Sequence, residues 1–181
     1  DFVDISITRV DLDGKSAANT LESALLGTDA VVACVGNRQP GFERWAARGG
    51  SMVVDAMNKA QVGRLVVLSS MGIGDDFMPR KGIRAFWGLL LASAFRGIRK
   101  DLTGLEAAVV ASGVDSYLLV RAVGLTPERA PCGQWKLLTK ARDGEVDISV
   151  AKSDVARFMI NEAINPTLKN TAVTIGHPKK K

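Results

Sequence analysis

The sequence has very few of the side chains on which metal sites and covalent catalysis depend. Its 181 residues include one histidine, His177, and two cysteines, Cys34 and Cys132, which form no C-x-x-C pair. A zinc site or a histidine-based catalytic triad therefore has too few candidate residues, and we predict no metal. Two widely separated cysteines indicate no disulfide framework and predict an intracellular, reducing compartment, either the cytoplasm or an organelle matrix or stroma.

Aromatic residues and long apolar runs are also scarce. Aromatics make up 6% of the residues, and we find no nucleic-acid-binding motif, so no nucleic-acid partner is expected. The net charge of +5 includes three terminal lysines, which are typical of a solvated tail.

The most apolar run, AFWGLLLASAF at 85–95, is shorter than the roughly 20 residues that a bilayer-spanning helix needs. Lysines and arginines flank it on both sides. Two interpretations stay open. The run could contact a membrane surface as an interfacial helix, or it could belong to a helical insertion over 79–100 that packs on the sheet edge or a substrate cleft.

The rest of the chain alternates between short apolar stretches and amphipathic ones. Hydrophobic residues make up 46% of the sequence, which is typical of one folded domain, here 1–181. Period-2 patterns and continuous apolar runs predict strands over 3–10, 30–36, 64–70, 114–125 and 170–176. The run at 30–36 is typical of a strand that is buried on both faces. Amphipathic helices are predicted between the strands, which indicates an α/β fold with a parallel sheet covered on both faces.

Local signals place several helix ends. Gly27 is predicted to end the first helix, and Gly63 follows the second, over 49–62. A third helix is predicted over 98–113. Ser153 or Asp154 is a suitable N-cap for the last helix, which stops before Pro166.

Three predicted strands end in residues that suit a ligand. In parallel sheets, ligands bind outside the carboxyl ends of the strands. Glycine lets a ligand approach the backbone closely, and serine hydroxyls can hydrogen-bond to it. Such residues also simply end strands. Since three successive strands share this feature, we predict a dinucleotide cleft at Gly36, Asn37 and Arg38, at Ser69, Ser70 and Met71, and at Arg121, Ala122 and Val123.

Four segments carry a family resemblance over residues 7–176. They are TDAVVACVGN, VVDAMNKAQVGRLVVLSSMGIGDD, DLTGLEAAVVASGVDSYLLVRAVGLT and SDVARFMINEAINPTLKNTAVTIG. Together they resemble the atypical short-chain dehydrogenases/reductases, and within these the NmrA-like and biliverdin/flavin reductase branch. The resemblance implies a Rossmann-like, doubly wound parallel sheet that binds NADP or NAD, with NADP favoured, and places the nicotinamide over the ends of the middle strands.

The resemblance also implies which residues contact the cofactor. Ala122 stands where the family usually has a proline. Asp11 and Leu12 would flank the adenine, and Val35, Gly36 and Asn37 would line the ribose and diphosphate. The residues implied beside the nicotinamide are Ser69, Ser70, Met71, Ala122 and Val123.

The sequence departs from the family at its beginning. The family starts with a strand, a G-x-x-G-x-x-G loop that holds the diphosphate, a helix and a second strand. This sequence starts at the position of the third strand, so we predict an N-terminally truncated sheet without the first two strands and the glycine loop. The run at 30–36 then becomes an exposed edge. Either the sequence is part of a longer chain, or another segment or a protein partner covers that edge.

The second departure concerns proton donors. Classical members use a Tyr-x-x-x-Lys pair, but Tyr117 is followed by Arg121, about 13 Å further along a strand. Tyr117 is expected to fill the edge of the core, and Asp101 and Glu106 to be solvent-side or capping groups of a helix. No catalytic residue is therefore predicted. Hydride transfer from NADPH to a small-molecule flavin, quinone or tetrapyrrole-like acceptor demands least of the protein. The alternatives are an NADPH sensor without turnover and a structural or regulatory subunit that has lost cofactor binding.

Overall fold

The computed structural model describes residues 5–36, 45–73, 96–127, 133–139, 146–147 and 149–178. The helices are α1 (Ala17–Leu25), α2 (Trp45–Ala60), α3 (Arg96–Val110) and α4 (Lys152–Ile164). The strands are β1 (Ala30–Ala33), β2 (Arg64–Ser70), β3 (Ser116–Ala122), β4 (Gly124–Thr126), β5 (Lys136–Leu138), β6 (Ser149–Ala151) and β7 (Thr171–Gly176).

The main sheet has five strands in the order β1-β2-β3-β7-β5. The first four run parallel, and β5 is antiparallel to β7. The predicted Rossmann-like parallel sheet is therefore confirmed. After β3 the chain passes Val123 and enters a separate two-stranded parallel sheet of β4 and β6. The sequence patterns indicate neither that division nor the three-residue strand β5.

Helices cover both faces of the sheet, as predicted. On one face, α2 and α3 bury Met57 and Leu105 against Leu65 of β2, and α1 packs on α2. On the other face, Phe158 and Met159 of α4 pack into a cluster with side chains of β3 and β7. Since successive strand residues point to opposite faces, Val66 and Val67 of β2 serve different clusters.

Glycines bring α2 and α3 unusually close together. A Cβ added at Gly50 would lie 2.1 Å from the Cδ1 of Leu105, and one at Gly104 would lie 2.9 Å from the Cβ of Ala47. Real Cβ atoms do not approach other atoms so closely. The α2–α3 contact therefore requires residues without side chains at these two positions.

The predicted first strand is wrong for the residues that the structure describes. Residues 5–10 form no strand, and Ile5 and Ile7 are 76% and 91% exposed. Alternation of apolar residues favours an extended chain, but a strand also needs a neighbour to which its backbone can hydrogen-bond. No described strand pairs with this segment.

Strand β1 occupies the outer position of the sheet. Among the described strands it pairs with β2 alone, so its position at the edge of the described sheet agrees with the prediction. The prediction that both faces of this strand are buried is wrong, because Ala33 is buried whereas Val32 is 38% exposed. What covers the edge stays a prediction.

Three predicted helix ends are corrected. Helix α2 begins at Trp45 rather than at 49, and the left-handed residue after its end is Gln61, with φ +57°, rather than Gly63. The N-cap of α4 is Ala151, so Ser153 and Asp154 lie in its first turn. Gly27, with φ +74°, ends α1 as predicted.

The predicted insertion over 79–100 lies mostly outside the described residues, as does the whole apolar run at 85–95. Residues 96–100 belong to α3, which therefore begins two residues before its predicted start. Within the part of the chain that the structure describes, no helix has the length and apolar character needed to cross a membrane.

The close contact at Gly50 predicts that Gly50→Ala destabilises the protein. Overpacking a core costs about 1–3 kcal/mol, and alanine regains only about 1 kcal/mol of helix propensity. We therefore expect a lower free energy of unfolding in urea titrations.

The matched control is Gly97→Ala in α3, where an added Cβ meets no atom of the described part of the chain within 4 Å. Its free energy of unfolding should be unchanged or slightly higher. A Gly50→Ala variant as stable as this control would contradict the proposed close packing of α2 on α3.

Candidate functional site

The carboxyl edge of the sheet brings the ends of β2 and β3 side by side. Ser70 lies opposite Ala122 in the parallel register, and the backbone N–H of Met71 donates to the carbonyl oxygen of Ala122 at 2.9 Å. The N–H of Val123 in turn donates to the carbonyl oxygen of Ile175, at 3.2 Å. The residues predicted to lie beside the nicotinamide thus form one continuous ridge.

The two serines of this ridge have different surroundings. Ser69 is 5% exposed, and its hydroxyl donates to Oε1 of Glu106 at 2.5 Å. Ser70 points to the other face and is half-buried, with a long 3.4 Å contact to the carbonyl oxygen of Met71. Of the two hydroxyls, that of Ser70 is therefore the one that a ligand at this edge could reach.

Glu106 and Arg121 form a buried ion pair beneath the ridge. Nε and Nη2 of Arg121 donate to Oε1 and Oε2 of Glu106 at 3.1 and 2.8 Å, and both side chains are 7% exposed. The prediction that Glu106 faces solvent is wrong. Glu106 lies on the same helical face as Leu102, Leu105 and Val109, which is the face that packs on the sheet.

Asp101 is also buried, and it caps a helix other than its own. Its carboxylate accepts the backbone N–H groups of Ala46 and Ala47 at the start of α2, at 2.8 and 2.9 Å. The predicted capping role is thus confirmed, and a solvent-side position is not. A negative carboxylate is also stabilised at the positive N-terminal end of a helix dipole. Because these two amides already donate to Asp101, they do not offer a phosphate site.

Leu12 and Val35, both predicted to contact the cofactor, meet above α2. A Cβ added at Gly49 would lie 2.7 Å from Cγ1 of Val35 and 3.3 Å from Cδ1 of Leu12. Gly49 therefore makes room for these two side chains. Toward the described residues the backbone at Gly36 is open, since an added Cβ there meets none of their atoms within 4 Å. Asn37 lies outside the described residues.

A cavity of about 500 Å³ adjoins this group, and it is lined by Arg9, Val10, Asp11, Leu12 and Trp45. Asp11 and Leu12 were predicted to flank the adenine. Trp45 was not identified from the sequence, because its place beside Asp11 depends on how α2 packs.

Hydrogen bonds fix the shape of this segment. Gly14 N–H donates to the carbonyl oxygen of Asp11 at 2.9 Å, and Nη2 of Arg48 donates to that of Leu12, also at 2.9 Å.

Tyr117 lies at the opposite end of β3 from the ridge. It is half-buried against the α2–α3 core, as predicted, and its N–H donates to Oδ1 of Asn170 at 3.0 Å. His177 follows β7, and its Nε2 lies 3.1 Å from Oδ2 of the fully buried Asp154. Among the described residues, no group of three His, Cys, Asp or Glu side chains is placed to hold a metal ion.

A family model of NAD(P)H-binding proteins matches residues 3–166. The chain belongs to the NAD(P)H-binding family. This result supports the resemblance to the atypical short-chain dehydrogenases/reductases and confirms the expected class of cofactor, NAD(P)H. A search of the curated proteins gave no match.

Solved structures with the same fold include three reductase-like proteins. A wide-type short-chain dehydrogenase/reductase from Veillonella parvula, in complex with NADP, is 13% identical with a TM-score of 0.69 over 89% of this chain and 68% of that one. ChuY, an anaerobillin reductase from Escherichia coli O157:H7, is 22% identical (TM-score 0.70, 91% and 72%). The oxidoreductase ylbE from Lactococcus lactis is 16% identical (TM-score 0.71, 96% and 72%). At these identities the likeness establishes the Rossmann-like fold.

The cap on α2 predicts that Asp101→Ala destabilises the protein by about 1–2 kcal/mol, because the buried amide of Ala46 and the half-buried amide of Ala47 lose their acceptor. Urea unfolding measures this difference. Asp55→Ala is the control, since Asp55 is exposed in the middle of α2. Equal stabilities of the two variants would show that the cap contributes nothing.

Proposed function

We propose that the protein binds NADPH along the carboxyl edge of the sheet and transfers its hydride to a flavin, quinone or tetrapyrrole-like acceptor. The observation that carries this proposal is the convergence of two walls at one edge. Leu12, Val35 and the open backbone of Gly36 form the first wall. The ridge of Ser70 and Met71, with Ala122 behind them, forms the second.

The described residues suit the two ends of a dinucleotide. The cavity beside Trp45 offers an aromatic ring and the backbone of Asp11 and Leu12 to an adenine. Gly36 leaves the space that a ribose and diphosphate require. At the other end, the half-buried Ser70 and Met71 offer one hydroxyl and an apolar surface to a nicotinamide amide and ring. The Veillonella relative in complex with NADP supports NADP over NAD.

The side chains at the edge favour an acceptor that needs little acid catalysis. Bound NADPH supplies the hydride, and the chain's own residues orient the two reactants. The carboxylate of Glu106 is held by Ser69 and Arg121, so it is an unsuitable proton donor. A conjugated acceptor can take its proton from water instead. The relative named an anaerobillin reductase supports reductase chemistry on this fold.

Gly36→Val tests the proposed binding mode. An added Cβ meets no atom of the described residues within 4 Å, and the valine side chain fills the space assigned to the ribose and diphosphate, so the Kd for NADPH should rise about tenfold or more. Fluorescence titration of NADPH measures the Kd. The free energy of unfolding should stay within about 0.5 kcal/mol of the wild-type value.

Ala111→Val is the control, because Ala111 is exposed just after the end of α3, where the chain approaches the amino end of β3, away from the carboxyl edge. It should leave the Kd unchanged. Equal affinities of the two variants would reject the assignment of Gly36 to the cofactor site.

Turnover separates the proposed reductase from its alternatives. We expect NADPH oxidation, followed at 340 nm, in the presence of FMN, a soluble quinone or biliverdin. Binding of NADPH without turnover with any of these acceptors would favour a sensor. No binding of NADPH or NADH would favour a structural or regulatory subunit.

A further inference from the structure

Two clusters of the same composition lie at opposite ends of the β2–β3 pair. At the carboxyl end, Ser69, Glu106 and Arg121 join β2, α3 and β3. At the amino end, Arg64 donates from Nη1 to the hydroxyl of Ser116 at 2.8 Å and from Nη2 to the carbonyl oxygen and Oε2 of Glu162, at 2.9 and 3.4 Å. We refer to them as the carboxyl-end cluster and the amino-end cluster.

The carboxyl-end cluster holds its carboxylate in a fixed position. Three donors, one from Ser69 and two from Arg121, point at the two oxygens of Glu106. Hydrogen bonds to charged groups are short and strong, and the two from Arg121 fix orientation as well as distance. Glu106 therefore has little freedom to turn while α3 stays packed on the sheet.

Burial makes this arrangement costly. Ion pairs removed from water recover their hydration energy only with good geometry, and apolar residues of similar volume often give equal stability. Stability alone therefore does not account for a charged cluster at this place. The same cost applies to the amino-end cluster, but only the carboxyl-end cluster lies immediately behind the ridge, and this position points to a role in the cofactor site.

The cluster is linked to the ridge through the backbone. Ser69 lies opposite Arg121 in the register, and Ser70 and Ala122 are the next residues of the two strands. Met71 then bonds to Ala122. Strand ends commonly fray, but here Ser69 and Arg121 tie both strands to Glu106, one residue before Ser70 and Ala122.

We propose that Glu106 is a positioning residue of the cofactor site, which fixes the ends of β2 and β3 so that the ridge can contact the nicotinamide. The inference rests on the proposed function. Glu106 is too buried to touch the cofactor and acts through Ser69 and Arg121. Its loss should therefore weaken binding of the nicotinamide half of NADPH and spare the adenosine half.

The amino-end cluster supplies a matched control. Arg64 and Glu162 are 8% and 3% exposed, so this ion pair is buried to a similar degree. Ser116 lies on β3 opposite Arg64 of β2, six residues before Ala122. Glu162→Gln and Ser116→Ala should thus perturb the fold as Glu106→Gln and Ser69→Ala do, but far from the ridge.

The experiment compares two probes, NADPH and 2′,5′-ADP, which lacks the nicotinamide half. Calorimetric titration gives both Kd values for the wild-type protein and the four variants, and urea unfolding gives their stabilities. For Glu106→Gln we expect the Kd for NADPH to rise about tenfold, with that for 2′,5′-ADP unchanged within about twofold. The two amino-end variants should change neither. Should Glu106→Gln fail to fold, Ser69→Ala, which removes one hydroxyl, provides the same comparison.

The outcomes are distinct. Equal weakening of both probes, or equal effects of the two clusters, would mean that Glu106 is merely structural and would overturn the inference. Unchanged Kd values in Glu106→Gln and Ser69→Ala would do the same and leave the proposed function intact. A wild-type protein that binds no NADPH would overturn the proposed function and the inference with it.

Discussion

The carboxyl edge of this sheet depends on one buried carboxylate. Glu106 lies where α3 crosses the ends of β2 and β3, and removing an ion from water costs several kcal/mol unless its hydrogen bonds are replaced. Ser69 and Arg121 replace them, but only when both strands and the helix are in place together. Packing of α3 on the sheet and alignment of the strand ends therefore depend on each other. The geometry of the candidate site depends in turn on the core beneath it.

Much of the fold follows from local sequence patterns. Residues 64–70 form a strand as predicted because an apolar run lies between a glycine and two serines, and such a run cannot remain exposed. The alternation of strands with helices then leaves few topologies other than a parallel sheet. The same rule carries Ser70 and Ala122 to one edge, which is why that part of the candidate site could be predicted without knowledge of any contact. A strand over 3–10 could not be predicted reliably from its local pattern, since a strand forms only where another strand pairs with it.

The polar core of the site was harder to predict, although part of the signal was present. Glu106 stands among Leu102, Leu105 and Val109 on one helical face, so a carboxylate in that stripe indicates a buried partner. The sequence of the helix does not identify that partner, because its identity depends on the register of the strands. Asp101 is a clearer case, because the amides that it caps are more than 50 positions away in the chain. Contacts of this kind are consequences of the fold and not of any local pattern.

The two arginines of β2 and β3 also bear on how these strands find each other. The middle parts of the two strands consist of hydrophobic residues such as Val66, Val67 and Leu119. These side chains would pack almost as well if β2 were shifted by two residues relative to β3. Arg64 and Arg121 would not, because the same slide would draw a guanidinium away from its glutamate and into the apolar interior. The two arginines lie at opposite ends of the β2–β3 pair and on opposite faces of the sheet. A shift of β2 relative to β3 in either direction therefore costs free energy. Burial of these charged ends therefore favours the observed alignment of the central strands, whereas the apolar middle contributes mainly packing.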